Sequence, residues 1–112
     1  LFRSGTLQSY KEKALSRTYI QYYQGEPLEV FFNDETSEFL ARFKYDGIIE
    51  EPSVLYLNKE LNYNNGYKLD ITDDKGNKIE EVELEEKGNY IYFKVNRGKE
   101  ENLVVKVTLT PF

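Results

Sequence analysis

Residues 63–95, YNNGYKLDITDDKGNKIEEVELEEKGNYIYFKV, carry the pattern on which the fold turns. Tyr67, Leu69 and Ile71 alternate with Lys68, Asp70 and Thr72, the two-residue period of a half-buried strand. Asp73-Asp74-Lys75-Gly76-Asn77 has the chemistry of a hairpin loop, with Gly76 free to take positive φ. Val82 and Leu84 then point inward, while Glu81, Glu83 and Glu85 line the other side. Ile79 is out of phase with Val82, so a bulge is expected near Glu80-Glu81. Lys87-Gly88-Asn89 makes a second turn, after which Ile91, Phe93 and Val95 go in and Tyr90, Tyr92 and Lys94 stay out. The stretch reads as three consecutive antiparallel strands joined by two tight turns.

The same period continues on both sides. Downstream, Leu103, Val105, Val107 and Leu109 form one apolar face of a closing strand. Upstream, Phe39, Ala41, Phe43 and Tyr45 alternate with Leu40, Arg42 and Lys44, and a strand from Ser53 to Asn58 carries Leu55 and Leu57 on one face. RTYIQYY, from Arg17 to Tyr23, is rich in β-branched and aromatic residues and reads as a strand ended by Gly25-Glu26-Pro27. Leu28, Val30 and Phe32 share a face in the strand after it, and the polar residues 33–37 make a turn. The pattern predicts an all-β domain over residues 17–112: a single antiparallel β-sandwich, jelly-roll or immunoglobulin-like, of seven or eight strands. Residues 1–16 form a lead-in. There Leu7, Tyr10, Ala14 and Leu15 fall at helical spacing after the capping-box form Ser9-Tyr10-Lys11-Glu12, which fits either a short helix around 8–16 or a loose segment.

Composition narrows the chemistry. At 112 residues the chain is one domain, able to bury roughly 65% of the surface it exposes unfolded. It has no Cys, so it has no disulfide, thiol nucleophile or thiolate metal site. It has no His, which excludes Ser-His-Asp and Cys-His mechanisms. It has no Met, so the chain is expected to be part of a longer one. The formal net charge of −5 disfavours a nucleic-acid partner. No apolar run approaches the roughly 18 residues a membrane span needs, and no signal-peptide pattern is present.

Ten Tyr and seven Phe are an unusual aromatic load, and flat rings stack well on the apolar face of a sugar. By period, Tyr90 and Tyr92 face outward; with Lys68 and Lys106 they form the candidate ligand surface. The plainer reading is that Tyr suits any half-exposed sheet. The acidic run Glu80-Glu81-Val82-Glu83-Leu84-Glu85-Glu86 reads as edge-strand protection. Residues 70–77 superficially match a calcium loop, but an EF-hand counted from Asp70 needs Gly where Lys75 stands. Asp34, Glu35 and Asp46 are the carboxylates from which a glycosidase pair could be drawn, yet all three lie in turns where such residues are expected. No catalytic residue, cofactor site or metal site is expected.

The order Ser16-Arg17-Thr18-Tyr19-Ile20, Pro52-Ser53-Val54-Leu55-Tyr56-Leu57, Tyr63-Asn64-Asn65-Gly66-Tyr67-Lys68, Gly88-Asn89-Tyr90-Ile91 and Val104-Val105-Lys106-Val107 resembles a known family. It is similar to the extracytoplasmic β-sandwich region of large multi-pass bacterial membrane proteins of the lipoteichoic-acid-glycosylation or pyruvoyl-tetrahydropterin-synthase-related type. The resemblance implies a non-catalytic domain with a structural or interaction role at the extracytoplasmic face of the cell membrane. It also implies covalent continuity with membrane-spanning segments and a cell-surface glycan or protein as partner. The alternative reading is a carbohydrate-binding accessory module of a secreted glycoside hydrolase.

Overall fold

The computed structural model of the chain describes residues 17–100 and 102–112; the lead-in over 1–16 and its helix lie outside the described residues. The strands are β1 (Tyr19–Tyr22), β2 (Gly25–Phe32), β3 (Phe39–Tyr45), β4 (Ser53–Tyr56), β5 (Tyr67–Asp73), β6 (Val82–Lys87), β7 (Tyr90–Val95) and β8 (Val104–Pro111). One helical turn, α1 (Lys59–Asn62), separates β4 from β5. Two four-stranded sheets form, in the orders β1-β4-β7-β6 and β2-β3-β8-β5. Every pairing is antiparallel, so the expected all-β sandwich is the fold. Its order is not that of an immunoglobulin constant domain, in which the first two strands pair.

Alternation decides the core. Phe39, Ala41, Phe43 and Tyr45 of β3 and Val105, Val107 and Leu109 of β8 face Leu55 of β4 and Ile91, Phe93 and Val95 of β7, all of them buried. Phe43 and Phe93 meet across the interior with ring centroids 6.3 Å apart. Burying each such side chain stabilises the fold by about 1.5–3 kcal/mol, so the two central strands of each sheet contribute most of the stability.

The structure corrects the three-strand meander. β5 and β6 are not partners: β5 pairs with β8 in one sheet and β6 with β7 in the other. The turn after β5 does close as expected, with Asp73 Oδ1 accepting the Lys75 and Asn77 N–H groups, each at 2.9 Å. The returning chain makes one bridge, Thr72 to Lys78, and Ile79 N–H donates to Ile71 O at 3.0 Å. Ile79 then plugs the core at 3% exposure. Ile79 and Val82 cannot share a face of one continuous strand. The chain resolves the conflict with a tight turn in which Val82 N–H donates to Glu80 O at 2.8 Å, and it crosses to the other sheet there. The suspected bulge is this crossing.

Leu84, expected inside, is 58% exposed. It lies opposite Phe93 and so faces inward, but β6 is an edge strand and the open side of the sandwich leaves Leu84 uncovered. Gly25-Glu26-Pro27, expected to be a turn, opens β2 instead. Pro27 is tolerated because β2 is an edge strand with a register shift between Pro27 and Glu29. The helical turn α1 was not expected; Asn58 caps it, its Oδ1 accepting Leu61 N–H at 3.1 Å.

Buried polar groups close the ends. Tyr63, 3% exposed, donates its hydroxyl to Ser37 O at 2.7 Å and accepts from Thr18 Oγ1 at 2.5 Å. Tyr63→Phe leaves both partners short, and we expect it to cost about 1–2 kcal/mol, read from urea unfolding midpoints. A midpoint equal to wild type would show that water replaces the hydroxyl.

Two ion pairs give the domain a pH dependence. The Arg97 guanidinium, 2.6 Å away, holds Glu81 below the ordinary carboxylate range. Lys59 at 2.7 Å does the same for Glu86, which also accepts from the Tyr67 hydroxyl. A depressed folded-state pKa means that the stabilisation is present above the unfolded value and is lost as pH falls through the folded one. The urea midpoint is therefore expected to drop below about pH 4, and Glu86→Gln to make the drop shallower. A Glu86→Gln midpoint that follows the wild-type profile at every pH would remove Glu86 from this account.

Candidate functional site: the tyrosine face of one sheet

The outward face of the β1-β4-β7-β6 sheet is the most distinctive surface. Register sets two rows across it. Tyr19, Tyr56, Tyr90 and Lys87 form one, and Tyr22, Val54, Tyr92 and Glu85 the other. Strict alternation would put Tyr19 and Tyr22 on opposite faces of β1. The register shift between Ile20 and Tyr22 returns both to the same side while Ile20 stays in the core.

The rings of the first row touch. Tyr19 and Tyr56 have centroids 5.1 Å apart with planes tilted by 34°, and Tyr56 and Tyr90 lie 5.4 Å apart at 60°. Such pairs contribute about 0.5–1.5 kcal/mol beyond their buried area, so the row is held in place. Tyr19 and Tyr22 are 42% and 46% exposed, and Tyr56, Tyr90 and Tyr92 are half-buried. Beside the rings stand charged side chains that can hydrogen-bond: Lys87 with Glu85 at 3.3 Å, and Lys94 opposite Glu83. The surface is corrugated, with ring faces and hydroxyls presented at several angles.

Of the residues singled out in the sequence, Tyr90 and Tyr92 sit on this face. Lys68 and Lys106 do not join them. Lys106 lies between Arg42 and Thr72, and Lys68 opposite Thr110, on the outward face of the other sheet. Tyr19, Tyr22 and Tyr56 were missed because face-sharing across strands follows from register, which alternation within a strand does not supply. The acidic run is an edge strand, as its charges indicated, and its carboxylates are dispersed: Glu81 to Arg97, Glu85 to Lys87, Glu86 to Lys59. Asp34 pairs with Arg17 at 3.1 Å at one end of β3, while Asp46 accepts Ile48 N–H at 3.0 Å at the other. Those carboxylates are not brought together. Among the described residues no cluster of three or more Asp, Glu, His or Cys is arranged to hold a metal.

The described residues thus form an antiparallel sandwich, one sheet of which presents a tyrosine-lined outer face. Its family follows from comparison with known proteins. A model of the glycoside hydrolase family 5 C-terminal domain matches residues 17–108, and the chain belongs to that family. Among solved structures it is similar to endo-glycoceramidase II from Rhodococcus sp. in its ganglioside GM3 complex. The TM-score is 0.65 at 15% identity, over 92% of this chain and 20% of that one. It is also similar to Cryptococcus neoformans sterylglucosidase 1 with tris, at TM-score 0.63 and 15% identity, over 88% of this chain and 14% of that one. The chain thus spans a fifth or less of those structures, and at this identity the likeness establishes the shared fold. A search of curated protein sequences gives no match.

These findings overturn the resemblance to multi-pass membrane proteins, and with it the expected continuity with membrane-spanning segments. No helix among the described residues is long and apolar enough to cross a membrane. The segments that carried that resemblance are turns and alternating strands: Asn64-Asn65-Gly66 leads into β5, Gly88-Asn89 is the β6–β7 turn, and Val104-Val105-Lys106-Val107 is β8. Any sandwich needs such pieces.

Proposed function

We propose that this domain is the accessory, non-catalytic unit of a family 5 glycoside hydrolase and that its tyrosine face holds a glycan for the parent enzyme. The observation that carries the reading is the gathering of Tyr19, Tyr22, Tyr56, Tyr90 and Tyr92 on one sheet face. Aromatic faces cover the C–H surface of a pyranose, and the hydroxyls with Lys87, Glu85 and Lys94 supply partners for sugar hydroxyls. Rings tilted by 34° and 60° do not make the flat platform that a crystalline polysaccharide face requires. They suit a single soluble glycan chain.

Affinity electrophoresis in gels containing a soluble β-glucan tests this. Retardation of the domain is expected, with loss of about tenfold in affinity for Tyr92→Ala, the cost of about 1.4 kcal/mol of contact. Tyr92 is the better probe because it stands outside the Tyr19–Tyr56–Tyr90 contact row, so its truncation disturbs the sheet less. Equal migration with and without glycan, across a panel of β-linked soluble glucans, would reject the sugar-holding role.

A further inference from the structure

The second row of the tyrosine face has a spacing that the first lacks. Tyr22, Val54, Tyr92 and Glu85 are direct cross-strand neighbours on β1, β4, β7 and β6. Neighbouring strands lie about 4.8 Å apart, so Tyr22 and Tyr92, two strands from each other, stand roughly 10 Å apart. The shorter Val54 lies between them. Among the described residues no ring contact ties up Tyr22 or Tyr92, whereas Tyr19, Tyr56 and Tyr90 pack against one another. That packed row runs parallel to the second, two residues or about 7 Å away along β4 and β7, and forms a wall on one side. On the other side stand Lys94 and Glu83, opposite each other in register. The result is a shallow trough that crosses the strands and dips at Val54.

We propose that this trough selects the linkage of its glycan: it takes an extended chain of equatorially joined 1,4-linked pyranoses, lying across the strands with alternate sugars on Tyr22 and Tyr92. The inference rests on the sugar-holding role proposed above and adds the linkage, direction and length of the ligand. In such a chain each sugar is turned over relative to the one before, so the same ring face returns at every second sugar. That repeat is close to two strand spacings, roughly 10 Å. One sugar therefore covers Tyr22, the next passes above Val54, and the third covers Tyr92. Chains linked 1,3 or through axial bonds curve into helices, so they meet one ring and leave the other. The sheet twists by about 20–25° from strand to strand, and a free chain follows that twist where a crystal face does not. Glu85, paired with Lys87 at 3.3 Å, closes the far end of the row with groups that hydrogen-bond sugar hydroxyls.

Calorimetric titration of the full chain with glucose oligosaccharides that differ only in linkage or length tests it. The β-1,4-linked tetrasaccharide is expected to bind about tenfold more tightly than the β-1,3-linked one, a comparison that needs no variant. The 1,4-linked trisaccharide reaches both rings and is expected to bind about tenfold more tightly than the disaccharide, which reaches one. Tyr22→Ala and Tyr92→Ala, with folding checked by urea melts, are each expected to erase the advantage of three sugars over two. Tyr92→Phe keeps the ring and is expected to retain it. Equal affinity for the two linkages, or a trisaccharide advantage that survives both alanine variants, overturns the inference and leaves the sugar-holding role standing. Binding of no oligosaccharide of either linkage rejects the sugar-holding role itself, and this inference with it.

Discussion

Gly47→Ala is expected to destabilise the domain by about 3 kcal/mol, the upper end of ordinary overpacking. A Cβ at residue 47 would lie 1.7 Å from Gly98 O and 2.6 Å from Gly98 C. Both are backbone atoms, so no side chain can swing away. The loop after β3 and the loop after β7 must separate instead. That separation withdraws Gly98 O from the Tyr45 hydroxyl, which donates to it at 2.9 Å from a residue only 5% exposed. The clash thus propagates from a surface turn into the end of the core. In a domain of this size the loss corresponds to a melting temperature lower by roughly 15 °C. Ile48→Ala, at an adjacent residue that is 76% exposed, is expected to stay within about 0.5 kcal/mol of wild type. Urea melts of the two variants check the contrast, and a Gly47→Ala midpoint no lower than that of Ile48→Ala would refute the argument.

Gln24→Leu is expected to cost about as much, roughly 3 kcal/mol, by a different route. Gln24 is 1% exposed, between β1 and β2, and its amide is fully used. Oε1 accepts Val95 N–H at 2.9 Å, while Nε2 donates to Val95 O at 3.1 Å and Ile49 O at 3.2 Å. One side chain therefore ties the β1–β2 connection to the end of β7 and to the loop after β3. Leucine fills similar volume and leaves the Val95 N–H buried without its acceptor, which is the expensive half of a lost hydrogen bond. Gln24→Glu supplies a sharper check. Its carboxylate would face two carbonyl oxygens in the interior, so the folded state would hold the proton to higher pH than the unfolded state does. With the folded pKa raised, stability is present below the unfolded value of about 4.3 and falls as pH rises toward neutrality. That trend is opposite to the acid-side loss expected of the wild type. A Gln24→Glu variant as stable at pH 7 as at pH 5 would mean that the site is wet.

These positions brace the two ends of the sandwich. Gly47, Gln24 and Tyr45 hold together the end of the sandwich that carries the β3–β4 and β7–β8 loops. Tyr63, Thr18 and Ser37 hold the opposite end, where β1 and β3 begin. The tyrosine face lies between these braced ends.

Much of this was legible in the sequence, for a physical reason. Side chains alternate along an extended backbone, so Phe39, Ala41, Phe43 and Tyr45, or Ile91, Phe93 and Val95, declare their shared face with no knowledge of neighbours. Turn chemistry is equally local: Asp73 and Asn77 build their loop from their own side chains. Residue types that are missing altogether exclude chemistry outright, as the absence of His and Cys does.

What only the tertiary structure decided depends on which strands become neighbours. Ile79 announced a break in phase, but whether the chain bulges or crosses to the other sheet is settled by which core has room for that side chain. Leu84 has an inward position in the pattern and is exposed, because burial needs an opposing strand and β6 ends its sheet. Tyr90 and Tyr92 were read as outward from their own strand. Their union with Tyr19, Tyr22 and Tyr56, and their separation from Lys68 and Lys106, came from pairing register and a shift within β1. Alternation is a property of one strand and is written in its residues; register, edges and sheet membership are properties of pairs of strands, fixed by long-range packing.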